Sequence, residues 1–199
     1  MTELLTTLPI RDGHFLLESG YHTDAWLSLD LLFVNPSSIA PMIAGLAEQL
    51  RGYDLDAVCG PLVGGAFLAQ SLAPILRTAF YYTEPVATSG ATTLFGAEYR
   101  LPPEIGRAVR GLRVAVVDDV ISAGSSVRAT VAALRDAGAS IAVVGSLLTL
   151  GDVAVTHFAA CGVPLESLAR QDFTMWKSSD CPLCRDGVPL ENPRTLVGA

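Results

Sequence analysis

The chain has 199 residues and a mass of 20.9 kDa, half of its residues are hydrophobic, and its formal net charge is −7 at pH 7. This length and apolar content favour one compact domain with a sizeable core. The acidic balance argues against a nucleic-acid partner, because phosphate backbones require a basic surface. The N-terminus lacks the basic and then apolar pattern of a signal peptide, so we expect a cytoplasmic protein.

Two strands and a helix are predicted in the first 51 residues. The strands cover residues 14–18 and 26–34, on either side of a polar turn at 19–24. The helix covers residues 36–51, because apolar residues recur there at helical spacing. The apolar face consists of Ile39, Met42, Ile43, Leu46 and Leu50.

Residues 57–76 carry no charge and are long enough to span a membrane. Glycines and prolines divide the stretch into a strand at 57–60, a loop at 60–65 and a helix at 66–76, so we expect a buried α/β segment and no membrane span. A strand at 78–83 follows. Glycines after a buried strand let backbone amides approach a ligand closely, although an ordinary tight turn has the same composition.

Residues 84–110 show little apolar periodicity and are rich in glycine and proline. A long, weakly structured segment inside a compact domain is usually either functional or disordered. Both interpretations stay open for this segment.

The stretch Val114–Ser126 (VAVVDDVISAGSS) carries the strongest functional signal. It predicts a strand, two adjacent carboxylates, a short Ser/Gly loop and the start of a helix. Loop amides, the helix dipole and the serine hydroxyls can bind a phosphate dianion. Asp118 and Asp119 can accept hydrogen bonds from vicinal hydroxyls such as those of a ribose. A polar turn with a helix cap is the simpler alternative, but the full pattern favours a sugar-phosphate site.

The remaining elements complete an α/β pattern. After residue 126 we predict a helix that ends at Gly138, a strand at 141–148, a helix at 153–160 and a strand at 163–168. Alternating strands and helices indicate a mostly parallel sheet flanked by helices. Ligands of such folds bind beyond the carboxyl ends of the strands. Both glycine-containing loops are expected at that edge.

The cysteines allow several interpretations. Without a secretory signal, reduced thiols or metal ligands are more plausible than disulfides. Cys181 and Cys184 have the spacing of half a zinc site. His157 and Cys161 could nominally complete it, two subunits could share the pair, or the pair could be a structural turn. His14 and His22 lie between the predicted strands and could contact a base or simply pack.

The segment 114–126 resembles the signature of type I phosphoribosyltransferases, which bind 5-phosphoribosyl 1-diphosphate (PRPP). The resemblance implies that Asp118 and Asp119 hold the ribose 2′- and 3′-hydroxyls. It assigns the 5′-phosphate to Ser122, Ala123, Gly124, Ser125 and Ser126. It assigns the diphosphate to Pro61, Leu62, Val63, Gly64 and Gly65.

Two further segments are similar to orotate phosphoribosyltransferases. Residues 13–20 (GHFLLESG) resemble the opening of that family, and residues 181–189 (CPLCRDGVP) resemble the tail of a bacterial and archaeal subgroup. The resemblance implies one phosphoribosyltransferase domain over residues 1–199. Its parts would be an N-terminal hood at about 1–35, a core at about 36–170 and a tail at 171–199. Phe15 of the hood and Ser122 would contact the base.

The resemblance also implies a reaction: transfer of the 5-phosphoribosyl group to a ring nitrogen of orotate, giving orotidine monophosphate in pyrimidine biosynthesis. Mg²⁺ would bind through PRPP, with no assigned side-chain ligand. Asp118, Asp119 and Arg100 would be the catalytic residues, with Arg100 on a closing segment at 84–110. The enzyme would be a homodimer.

Several positions depart from the family pattern. Glu18 and Gly64 stand where many members carry lysine, and Thr149 and Leu150 stand in place of an Asp-Arg pair whose arginine meets the orotate carboxylate. A charge-assisted bond to a carboxylate contributes about 1.5–3 kcal/mol, so each missing cation lowers the expected affinity for orotate. Two alternatives therefore stay open: a phosphoribosyltransferase for an uncharged base, and a PRPP-binding regulatory protein without turnover.

Overall fold

The computed structural model describes residues 10–27, 32–86 and 97–193. A mostly parallel sheet of six strands occupies the centre, and a separate sheet of three strands forms the hood. In chain order the strands are β1 (Ile10–Leu16), β2 (His22–Leu27), β3 (Ala57–Pro61), β4 (Ala79–Pro85), β5 (Tyr99–Arg100), β6 (Arg113–Ile121), β7 (Ser140–Leu150), β8 (Leu165–Gln171) and β9 (Met175–Trp176).

Six α-helices lie in the described ranges. They are α1 (Pro36–Leu50), α2 (Gly64–Leu76), α3 (Pro103–Ala108), α4 (Ser125–Asp136), α5 (Val153–Ala160) and α6 (Pro182–Arg185). None of the described helices is long and apolar enough to cross a membrane.

The central sheet has the order β5–β4–β3–β6–β7–β8. All its pairs are parallel except β4–β5, which is antiparallel. Strand β6 is buried over almost its whole length, as expected for a central strand covered on both faces. One apolar cluster, which includes Leu46, Leu68 and Leu147, packs on one face of the sheet. A second cluster, which includes Val131 and Phe158, packs on the other. The predicted α/β class is confirmed.

The hood sheet has the order β1–β2–β9, so the C-terminal tail supplies its third strand. His22 pairs with Trp176 and Thr23 with Met175. The backbone of Glu191 also bonds to Leu16 and His14 on the other side of the hood, at 2.8 Å each. The hood is therefore built from both ends of the chain.

The predicted bounds of the first two strands were wrong. The first strand ends at Leu16, and the turn covers residues 17–21, where Gly20 adopts a positive φ of 80°. Residues 22–24, expected in the turn, are in β2 because β9 supplies backbone partners for them. Residues 32–34 form a turn, and residues 28–31 of the predicted second strand lie outside the described ranges.

The elements from residue 36 onward match the prediction within a few residues. The helix predicted at 153–160 has those bounds, and the last strand begins two residues later than predicted. The segment 84–110 contains more structure than predicted, since β4 ends at Pro85, β5 pairs with β4, and α3 follows. Residues 87–96 of this segment lie outside the described ranges.

Candidate active site at the carboxyl edge of the sheet

Two loops meet where neighbouring parallel strands end. Strands β3 and β6 pair directly, with Cys59 opposite Val116, so the loops that follow them emerge side by side. A cleft of about 380 Å³ opens there, between these loops and the hood. Its lining includes Pro61, Leu62, Val63 and Gly64 from the first loop, and Asp118, Asp119, Ser122, Gly124, Ser125 and Ser126 from the second.

Asp118 and Asp119 are both buried, and hydrogen bonds hold their carboxylates in defined positions. Ser126 Oγ donates a hydrogen bond of 2.8 Å to Asp118 Oδ2. The amide of Val120 donates to Asp119 Oδ1 at 2.8 Å, and the amide of Asp119 donates to Asp118 Oδ1 at 3.1 Å. Burial is the main cause, and repulsion from Asp119 the second, that raises the pKa of Asp118 well above its ordinary value. Hydroxyl donors or a cation would relieve this repulsion.

The first loop packs against these carboxylates through glycine. A Cβ built on Gly64 would lie 2.2 Å from Asp119 Oδ2, and one built on Gly65 would lie 2.7 Å from Asp118 Oδ1. Larger residues would displace the acidic pair, so close approach of the two loops requires glycine. The amide of Leu62 donates to the carbonyl of Thr83 at 2.9 Å, which ties the loop to β4.

The second loop leads directly into a helix. Gly124 adopts a φ of +77° and caps α4, whose first residues are Ser125 and Ser126. The first amides of a helix have no intrahelical acceptor, so this terminus can bind an anion. Ser122, Gly124, Ser125 and Ser126 all line the cleft. Ala123 is fully buried, so only its backbone can take part.

The other wall of the cleft is apolar with one acid. It comprises Leu17, Glu18, Trp26, Leu27, Tyr99, Leu150 and Phe173, among others. The hydroxyl of Tyr99 donates to Glu18 at 3.2 Å. Within residues 10–27, 32–86 and 97–193, no lysine, arginine or histidine lines this cleft. Aromatic rings can stack on the face of a heterocyclic base, and aliphatic side chains can pack against it.

Phe15, predicted to contact the base, lies elsewhere. It is fully buried in the hood, its ring is 6.2 Å from that of Trp26, and the Arg11 guanidinium lies over it at 4.7 Å. A register shift between Asp12 and Phe15 interrupts the alternation of β1, which the sequence pattern does not show. Trp26 of β2 lines the cleft instead.

Of the other positions singled out from the sequence, some line the cleft and others do not. Leu150 lines the cleft, whereas Thr149 is buried and its hydroxyl bonds with that of Ser146 at 2.8 Å. Arg100, the predicted catalytic cation, is 70% exposed and forms an ion pair of 3.6 Å with Glu84 outside the cleft lining. Its predicted role needs a movement of this edge and stays a prediction.

The cysteine pair of the tail does not meet His157 and Cys161. The side chains of His157 and Cys161 lie 3.8 Å apart, one turn from each other at the end of α5. Cys181 and Cys184 instead lie beside His14 and His22 of the hood. None of the four cysteines, all of which lie in described residues, forms a disulfide.

A parallel sheet with an acidic pair, a glycine loop and a helix terminus at one edge defines an α/β protein that binds a sugar phosphate. A family model for the phosphoribosyl transferase domain matches residues 36–153. The chain is 33% identical to an orotate phosphoribosyltransferase of Thermotoga maritima over 92% of this chain and 91% of the relative. It is 32% identical to the orotate phosphoribosyltransferase of Caldanaerobacter subterraneus over 92% of this chain and 90% of the relative.

The fold agrees with these sequence relationships. The crystal structure of orotate phosphoribosyltransferase from Aeropyrum pernix superposes with a TM-score of 0.61 at 28% identity, over 81% of this chain and 87% of that one. The chain belongs to the phosphoribosyl transferase family.

Proposed function

We propose that this protein is an orotate phosphoribosyltransferase, which transfers the 5-phosphoribosyl group of PRPP to a ring nitrogen of orotate in pyrimidine biosynthesis. The observation that carries the proposal is the meeting of the acidic pair with both glycine-containing loops in one cleft. Relatives named for this activity cover almost the whole chain. The products are orotidine monophosphate and diphosphate.

The donor binds along the carboxyl edge of the sheet. Asp118 and Asp119 accept hydrogen bonds from the ribose 2′- and 3′-hydroxyls, and residues 122–126 bind the 5′-phosphate at the start of α4. Residues 61–65 bind the diphosphate through backbone amides. As the bond to diphosphate breaks, C1 of the ribose acquires positive character. The buried carboxylates stabilise that charge, because they are already oriented before the reaction.

Mg²⁺ fits this site when it enters with PRPP. The cleft presents carboxylate and hydroxyl oxygens, which are the ligands Mg²⁺ prefers. Asp118 and Asp119 would accept hydrogen bonds from the ribose hydroxyls and would lie beside the ion. The ion would neutralise charge on the leaving diphosphate.

The base stacks against the wall that contains Trp26, Leu150 and Phe173. These side chains exclude water from C1, where water would otherwise hydrolyse the donor. Ser122 also lines the cleft and would contact the base.

A phosphoribosyltransferase for an uncharged base is the second candidate. It is favoured by Glu18 on the described cleft wall, where orotate would bring a second negative charge. A panel of orotate, uracil and purine bases, each with PRPP and Mg²⁺, separates the two. The proposed function requires that kcat/KM be highest for orotate. A preference for an uncharged base would establish the second candidate, and PRPP binding without turnover of any base would exclude both.

We also propose that residues 1–199 form one domain that acts in the cytoplasm as a homodimer. The free thiols suit a reducing compartment. An apolar groove of about 600 Å³ lies between α1 and α2, with Phe33 and Phe67 in ring contact at 5.6 Å. Phe67 is 47% exposed and Val34 is 71% exposed; a second copy of the chain would cover such side chains. Light scattering should give twice the chain mass, and Phe67→Glu should reduce it.

A further inference from the structure

Four potential metal ligands converge between the hood and the tail, outside the active-site cleft. They are His14 of β1, His22 of β2, and Cys181 and Cys184 at the two ends of a Cys-x-x-Cys segment around α6. His14, His22 and Cys181 are buried, and Cys184 is exposed. One ligand atom from each of the four lies within 4.8 Å of every other.

The distances within this cluster are close to those around a tetrahedral ion. His14 Nε2 lies 3.0 Å from His22 Nδ1, 3.4 Å from Cys181 Sγ and 3.8 Å from Cys184 Sγ, while Cys184 Sγ lies 3.3 Å from His22 Nδ1. Tetrahedral zinc with bonds of about 2.0–2.3 Å places its ligand atoms about 3.3–3.8 Å apart. Small shifts would bring all four atoms to bonding distance of one ion.

The tautomer of His14 directs a lone pair into the cluster. Its Nδ1 lies 2.9 Å from the carbonyl oxygen of Val188, and a carbonyl can only accept. Nδ1 therefore carries the proton, and Nε2 of the neutral ring offers its lone pair to the cluster. Metal-binding histidines usually donate their other ring N–H in this way.

Hydrogen bonding within the cluster does not account for this convergence. The single lone pair of His14 Nε2 can accept one hydrogen bond, yet three neighbouring atoms lie within 3.8 Å of it. A cation at the centre gives all four atoms a partner at once. Two thiolates and two imidazoles suit zinc, which tetrahedral sites of this composition bind.

We propose that His14, His22, Cys181 and Cys184 bind one structural zinc ion within a single chain. The four ligands fill the tetrahedron, leaving no open position for catalysis. The ion joins β1 and β2 to a tail that lies more than 160 residues away in sequence. It thereby fixes the hood, whose Glu18 and Trp26 line the active-site cleft.

Metal content tests this proposal independently of enzymatic activity. Protein made without a histidine tag and dialysed under reducing conditions should contain about one zinc per chain. Cys181→Ser, Cys184→Ser and His22→Gln should each lower that content severely. Cys161→Ser is the matched control, since Cys161 also lies beside a histidine but outside the cluster. Full zinc content in the double variant C181S/C184S would overturn the proposal.

Thiol labelling tests the site in the unaltered protein, in case the variants fail to fold. In native protein Cys184 should resist alkylation although it is exposed, and a chelator should make it react. Exposed Cys161 should react equally with and without chelator. Added Co²⁺ should restore protection and produce thiolate-to-cobalt charge-transfer absorption. The proposal fails if Cys184 reacts as fast as Cys161 throughout, or if reduced protein binds neither Zn²⁺ nor Co²⁺.

Discussion

Gly65 lies directly against Asp118, so that a Cβ at residue 65 would be 2.7 Å from Asp118 Oδ1 and 2.8 Å from the carbonyl oxygen of Val117. The loop at residues 61–65 and the carboxylates of Asp118 and Asp119 therefore form one packed unit. A change on one side of this contact moves the other.

Replacing Gly65 by alanine should lower kcat/KM for PRPP at least tenfold, because the methyl group would push both the carboxylate and the β6 backbone. The overpacking should also destabilise the fold by about 1–3 kcal/mol. Gly106→Ala is the matched control, since its Cβ would meet only Leu101 at 3.8 Å and alanine is favoured in a helix. Steady-state kinetics and urea unfolding measure the two effects, and equal behaviour of the variants would refute the packing role.

Asp118→Asn should reduce turnover about 10- to 150-fold or more, since a hydrogen bond to a charged group contributes about 1.5–3 kcal/mol. The same change should make the unliganded protein more stable at pH 7. Burial and Asp119 raise the folded-state pKa of Asp118, so the folded state binds more protons than the unfolded state above pH ~4.

The wild-type stability contribution of Asp118 therefore falls as pH rises from about 4 through the folded pKa. Urea unfolding at pH 5 and pH 8 should show that the advantage of Asp118→Asn over wild type grows with pH. Asp136→Asn, at the exposed end of α4, should show little such growth. A constant or shrinking advantage would mean that Asp118 is not destabilised by burial.

Ser126→Ala should raise the KM for PRPP about tenfold, because it removes the hydroxyl that donates to Asp118 Oδ2 at 2.8 Å. This hydrogen bond favours the ionised carboxylate, so its loss should raise the pKa of Asp118 further. The acidic limb of the kcat/KM profile should then move to higher pH. Ser71→Ala serves as control, since that hydroxyl donates to the Phe67 carbonyl within α2 at 2.8 Å. If the acidic limb of the profile does not move, the Ser126 hydroxyl does not control the ionisation of Asp118.

Glu18→Gln should lower the KM for orotate several-fold and leave any turnover of uracil unchanged. Glutamine removes the negative charge from the cleft wall, while its amide oxygen can still accept from Tyr99. Of the two bases only orotate is repelled by this charge, and saturating PRPP removes any effect on donor binding. Parallel kinetics with both bases provide the internal control. A higher KM for orotate would show that Glu18 assists base binding.

Much of the candidate donor site could be predicted because its parts are local in sequence. Residues 114–126 contain the strand, the acids, the loop and the helix start in one continuous stretch. The parallel arrangement then brings residues 60–65 to the same edge, since neighbouring parallel strands end together.

The hood could not be predicted in the same way because its contacts are not local. His22 and Thr23 are in a strand because β9, about 150 residues later, pairs with them. The sequence pattern also does not show the register shift before Phe15, and it is Trp26 of β2 that lines the cleft. The meeting of His14 and His22 with the tail cysteines likewise depends on how the two ends of the chain fold together.

The most direct test of the assigned chemistry is orotidine monophosphate formation from PRPP, orotate and Mg²⁺, followed together with diphosphate release. We expect the two products in equal amounts, with turnover lost when EDTA exceeds Mg²⁺ and restored by added Mg²⁺. Asp118→Asn combined with Asp119→Asn should nearly abolish both products while the protein stays folded. Unchanged turnover in that double variant, or diphosphate release without any base, would contradict the roles assigned to the acidic pair.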